Sequence, residues 1–142
     1  MRRQFYCVAA AILLSAAASG ATRAEGALAI GITPNFAQEG FAVGGSINYS
    51  TRAEAERRAL DECRGFKGAP KASARCEIVA TFRRECYAIA FDPDADTHGY
   101  GFAVSPTRQL AEDRALAACR MRSDENRKNS CKLDLVRCDE RD

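Results

Sequence analysis

Ser50-Thr51-Arg52-Ala53-Glu54-Ala55-Glu56-Arg57-Arg58-Ala59-Leu60-Asp61-Glu62-Cys63 is answered without a gap by Pro106-Thr107-Arg108-Gln109-Leu110-Ala111-Glu112-Asp113-Arg114-Ala115-Leu116-Ala117-Ala118-Cys119. Eight of these fourteen positions are identical, and self-similarity of this kind is the mark of a duplicated unit. Each stretch reads as a helix. Thr51 is an N-cap, and Glu54 three residues on completes a capping box. Ala55, Ala59 and Cys63 then fall at i, i+4 and i+8, one apolar stripe with Leu60 beside it. Thr107 opens the second helix, with Leu110 where the box needs Glu, and Ala111, Ala115, Leu116 and Cys119 repeat the stripe. Alanines on the buried face imply close packing on a sheet.

Working outward, Cys76-Glu77-Ile78-Val79 parallels Cys131-Lys132-Leu133-Asp134, and Leu28-Ala29-Ile30 parallels Tyr87-Ala88-Ile89. The unit is therefore about 26–84 in its first copy and 85–142 in its second. Glu77–Phe82 and Lys132–Val136 read as strands from their β-branched and alternating content. Two shorter apolar runs precede each helix: 27–32 and 44–49, then 86–91 and 99–104. Turns rich in Pro, Asn, Asp and Gly separate them. The order is ββαβ twice. The expected fold is one α+β domain over 25–142 made of two tandem pseudo-repeats, mainly antiparallel sheet with two helices on one face. The stretches 65–75 and 120–130 read as polar, mobile loops.

The N-terminal end has a different character. Arg2 and Arg3 precede an apolar run from Phe5 to Ala18, and small residues lead to Ala24. That is the pattern of a secretory signal peptide, residues 1–24, cleaved after Ala24 or Ala21. The run is too short for a comfortable membrane span, so the mature chain is expected to carry no transmembrane segment. Loss of Arg2, Arg3 and Arg23 leaves 18 Lys plus Arg against 19 Asp plus Glu, so a net charge of +2 becomes −1. A nucleic-acid binder shows a basic surplus; none is left here, and no nucleic acid is expected as partner.

Cys7 leaves with the signal, and six cysteines stay. An even set in an exported chain reads as a disulfide framework. The repeat offers the same bond in each copy, Cys63–Cys76 and Cys119–Cys131, tying a helix end to the next strand. Each such loop contributes about 3 kcal/mol in the chain-entropy model. Elimination leaves Cys86–Cys138, expected to join the two copies.

Chemistry-bearing residues are few. Asp92, Asp94 and Asp96 begin like a calcium loop, but positions six and twelve hold Thr97 and Ala103 where Gly and Glu are needed. The matching turn in copy one, Thr33-Pro34-Asn35, is not acidic, so turn chemistry accounts for most of the motif. Asp92, Asp94, Asp96 and His98 are the weak metal candidates, and no metal or cofactor is expected. His98 is the single histidine, and no nucleophile with a base and orienting group can be named beside it. Asp134 alternates outward as a solvated strand residue. Tyr49, Tyr87, Tyr100 and Phe102 lie on or beside strands, as core or as an aromatic face for sugar or protein.

Taken together, Gly26-Ala27-Leu28-Ala29-Ile30, Thr51-Arg52-Ala53-Glu54-Ala55-Glu56 with Ala59-Leu60 and Cys63, Cys76-Glu77-Ile78-Val79, Phe82-Arg83 before Cys86, and Ala115-Leu116-Ala117-Ala118-Cys119-Arg120 with Cys131 resemble domain-of-unknown-function family 4189, a group of small exported bacterial proteins. The chain lacks the family's tryptophan and has Arg84-Glu85 at a step that is commonly shorter. The resemblance implies an exported, disulfide-bonded domain and supplies no catalytic residue. The expected function is a non-enzymatic binding module of the periplasm or secretome, monomeric, recognising a protein or envelope polymer. One alternative is an inhibitor or immunity partner of a secreted toxin or wall hydrolase. Another is a small envelope hydrolase using Asp92, Asp94 or Asp96.

Overall fold

The structure, a computed structural model, describes residues 24–94 and 96–139; the signal-peptide reading lies outside them except for Ala24. Strands β1 (Glu25–Ile32), β2 (Phe41–Tyr49) and β3 (Glu77–Arg83) form one antiparallel sheet in the order β2-β1-β3. Strands β4 (Cys86–Phe91), β5 (Tyr100–Ser105) and β6 (Lys132–Cys138) form a second, in the order β5-β4-β6. One-turn helix α1 (Phe36–Glu39) joins β1 to β2, and α2 (Arg52–Gly65) and α3 (Pro70–Ser73) lie between β2 and β3. Helix α4 (Arg108–Arg122) and a 3-10 segment, Glu125–Ser130, separate β5 from β6. The fold is α+β, two ββαβ units in tandem with disulfide staples. Among the described residues no helix is long and apolar enough to cross a membrane.

Strand alternation sets the layers. Ala27 and Ala29 of β1 face α2, where they meet Ala55, Ala59 and Cys63. Ala88 and Ala90 of β4 face α4, against Ala111, Ala115 and Cys119. The other faces carry Leu28 and Ile30, Tyr87 and Ile89, and these meet each other with Phe82 in a third core between the sheets. The helices therefore lie outside and the sheets inside, each helix on one face of its own sheet. Gly44 and Gly101 let the helices close in: a Cβ at either would overlap the carbonyl oxygen of Ala59 or Ala115. The caps are as expected. Thr51 Oγ1 accepts from the Glu54 N–H at 3.3 Å and donates to its carboxylate at 3.0 Å, and Thr107 Oγ1 accepts from the Leu110 N–H at 3.3 Å.

Disulfides join Cys63–Cys76, Cys119–Cys131 and Cys86–Cys138. The third does not join the copies. Cys86 and Cys138 are opposite residues on β4 and β6, so the bond closes the second sheet on itself. The halves are held by the inter-sheet core and by Asp139, whose carboxylate accepts the N–H groups of Asn48 at 2.9 Å and Arg84 at 3.1 Å. Both donors have left-handed backbones, φ 61° and 55°, a conformation that costs Arg more than Asn. The two stretches read as loops contain short helices: α3 in 65–75, pinned by Ser73 Oγ donating to the Phe66 carbonyl at 2.6 Å, and the 3-10 segment in 120–130.

Pairing also corrects the alignment of the copies. Leu28 stands opposite Gly45 and Ala80, whereas Ile89 stands opposite Phe102 and Leu135. Leu28 thus corresponds to Ile89 and not to Tyr87. A slip of two residues keeps every side chain on its face, so alternating Ala-Leu-Ala-Ile gave no warning of it.

Candidate functional site

Asp92 follows β4 directly and is buried. Its carboxylate receives Arg127 through both oxygens, Nε to Oδ2 at 2.6 Å and Nη2 to Oδ1 at 2.7 Å. The same guanidinium reaches Asp94. The Arg127 guanidinium holds the Asp92 carboxyl below its usual range, and the carboxylates raise Arg127 in turn. The pair pins the β4–β5 loop to the 3-10 segment, which is a structural duty. Asp96 is exposed in a left-handed turn, φ 60°. Exposed His98 lies with Nδ1 3.9 Å from Asp124 and its ring edge-on to Phe36. The structure does not bring these four residues into one ligand set; among the described residues no cluster of His, Cys, Asp or Glu could hold a metal ion.

The aromatic candidates divide. Tyr87 is buried between the sheets over Gly45, and burial pushes its hydroxyl up to about 12. Phe102 packs against the same core. Tyr100 sits edge-on to Phe36, with the Arg122 guanidinium 4.6 Å from its ring centre. Tyr49 lines a groove that sequence reasoning missed.

The groove arises from how the sheets cross. At its end, β2 is tied to Asp139 after β6; at its start, Phe41 packs on Phe91 and near Tyr100, at the far end of β4 and β5. A wedge therefore opens between the outer strands β2 and β6. One part, about 500 Å³, is lined by Phe41, Val43, Phe66, Phe91 and Leu135, with Glu62 and Asp134 among them. A second, about 290 Å³, is lined by Ser46, Tyr49, Arg58, Tyr87 and Arg137. Gly45, Glu62 and Leu135 belong to both, so the two parts adjoin.

Its lining is where the copies part company. Pairing shifts register between Ile89 and Ala90, so Asp134 is the extra residue of a β-bulge, a device that re-aims a side chain. The first sheet has the same bulge at Val79. By the same register Arg137 occupies the place of Phe82, and Gly45 that of Phe102. Val79, Phe82 and Phe102 fill the inter-sheet core. Their counterparts Asp134, Arg137 and Gly45 line an opening. No short motif marks this, because its residues come from five separate segments.

The family model described as a domain of unknown function (DUF4189) matches residues 26–138, most of the chain, and the chain belongs to that family. No curated protein and no solved structure matches it at a significant level.

Proposed function

We propose that this DUF4189 member is an exported, non-enzymatic binding module of the periplasm or extracellular medium, and that it binds its partner in the β2–β6 groove. One observation carries the reading: at three positions where one copy or the other fills the core, its counterpart has a carboxylate, a guanidinium or no side chain, and all three counterparts border one opening. A concave, mainly apolar cleft with a few polar groups is the usual form of a recognition site. Export is supported by the character of residues 1–24 and by the six paired cysteines, which persist in oxidising compartments. The hydrolase alternative draws no support from Asp92 and Asp94, since Arg127 engages both carboxylates.

Two measurements test this. The full chain, made in a bacterial host and recovered outside the cytoplasm, should begin at Glu25 or Thr22 on N-terminal sequencing. Retention in the cytoplasm with an intact N-terminus would refute export. Isotope-labelled mature protein, titrated with small aromatic and aliphatic fragments, should show amide shifts gathered at 40–45, 66–69 and 134–137. Shifts scattered over the whole surface would remove the groove as the site.

A further inference from the structure

Resting on that reading, we infer that the occupant is an extended peptide segment of a partner protein, with a basic and an acidic residue flanking an apolar one. Asp134 borders the phenyl-lined part and Arg137 the polar part, and Leu135 lies in both. Glu62 also borders both parts and stands 4.0 Å from Arg58, one turn away on α2, so those two charges offset each other and Asp134 and Arg137 set the polarity of the groove. Asp134 and Arg137 are three residues apart on β6, roughly 10 Å at the rise of a strand. That separation matches side chains two to four residues apart on an extended peptide. An aliphatic Lys or Arg stem packs on phenyl rings while its head meets carboxylates. The acidic residue pairs with Arg137, since Arg58 already faces Glu62.

Charge decides against the other occupants. A wholly apolar ligand would strip water from Asp134 and Arg137 without replacing their partners, which is costly. A polyanion or anionic lipid surface would meet Asp134 with like charge. The peptide form follows from the walls: β2 and β6 are both outer strands, and an outer strand can take up an added extended segment.

The test uses four capped pentapeptides on oxidised mature protein, read by amide shifts and titration. They are Lys-Ser-Phe-Ser-Glu, whose first, third and fifth side chains share one face, its neutral form with Gln at both ends, its doubly basic form and its doubly acidic form. The first should bind at 40–47, 62–69 and 134–137, at least about tenfold tighter than the neutral form. Asp134→Lys should turn the preference to the doubly acidic peptide. Asp134→Val with Arg137→Phe, the residues of the first copy, should abolish binding of all four while the disulfides and melting temperature stay intact. Equal binding of the neutral peptide in the groove overturns the charge pairing and leaves the groove as the site. Shifts elsewhere, or none with any peptide at millimolar concentration, overturn both.

Discussion

The first copy closes the end of its sheet with an ion pair where the second uses a covalent bond. Glu25 and Arg83 are opposite residues on β1 and β3, with Arg83 Nε donating to Glu25 at 2.8 Å. Their counterparts on β4 and β6 are Cys86 and Cys138. The next pair differs as well: the Phe82 ring lies over Gly26 in the first sheet, while Tyr87 faces Arg137 in the second. Toward the other end, α3 docks its Ala72 carbonyl against Gly31 within β1, and the matching position is Asp92 just after β4, which holds Arg127. What did not diverge is the helix-on-sheet contact: the alanine stripes, the Cys63–Cys76 and Cys119–Cys131 bonds, and the glycines Gly44 and Gly101. Duplication thus preserved the contact each unit needs to fold, and varied the faces through which the units meet each other and the solvent.

Removing the covalent clasp should have the largest effect. Cys86→Ala with Cys138→Ala frees a loop spanning 52 residues, for which the chain-entropy model gives about 4 kcal/mol. Glu25→Ala with Arg83→Ala should cost at most about 1 kcal/mol, because the arginine is half exposed. Urea unfolding of the two variants measures the contrast, and similar losses would mean that the clasp acts by native-state packing. The converse exchange, Glu25→Cys with Arg83→Cys, should form a fourth disulfide, visible as two thiols fewer on titration of the unfolded oxidised protein.

Next in size come the glycines. Gly44→Ala and Gly101→Ala each push a methyl into helix backbone, and overpacking of this kind costs about 1–3 kcal/mol. Backbone yields less than side chains, so values near the top of that range are expected, and equal in the two copies. A tolerated substitution in one copy alone would show that its helix is free to shift, and that the contact is not shared after all.

Much of this was readable from residues 50–63 and 106–119. Cysteine at the end of each alanine stripe, and again about a dozen residues on, identifies two bonds before any coordinate is known. Strand existence was legible too, from the β-branched content of Glu77–Phe82 and the alternation of Lys132–Val136. The register was not. Alternating small and large residues look the same after a slip of two, and only cross-strand partners reveal that Ile89 stands where Leu28 does. The same ambiguity hid that Cys86 and Cys138 face each other within one sheet. It also hid the groove, which needs both the diagonal crossing of the sheets and the bulge at Asp134. Asp134 read correctly as exposed; nothing local says that it shares an opening with Phe41 and Phe91. The acidic turn drew attention for its composition, yet its most telling carboxylate is buried and held by Arg127, thirty-five residues away.

The smallest expected effect distinguishes the two buried aspartates by sign. Asp92 belongs to a contact within the second copy, and Arg127 keeps its folded value below the ordinary 3.8. Its contribution is present above the unfolded value and is lost as pH falls through the folded one. Asp139 belongs to the contact between copies. There, burial raises its folded value above 3.8, and the amide N–H groups of Asn48 and Arg84 offset this only in part. The fold therefore favours its neutral form, and stability declines as pH rises from the unfolded value through the folded one. Urea midpoints between about pH 2.5 and pH 7 should show Asp92→Asn losing most near neutrality and converging on the native protein in acid. Asp139→Asn, a mimic of the neutral acid with one amide acceptor fewer, should compare most poorly with the native protein in acid and gain on it as pH rises. An Asp139 carboxyl titrating below 3.8 by carbon NMR would reverse that second trend, and would make the two amide donors, not burial, the stronger influence where the copies meet.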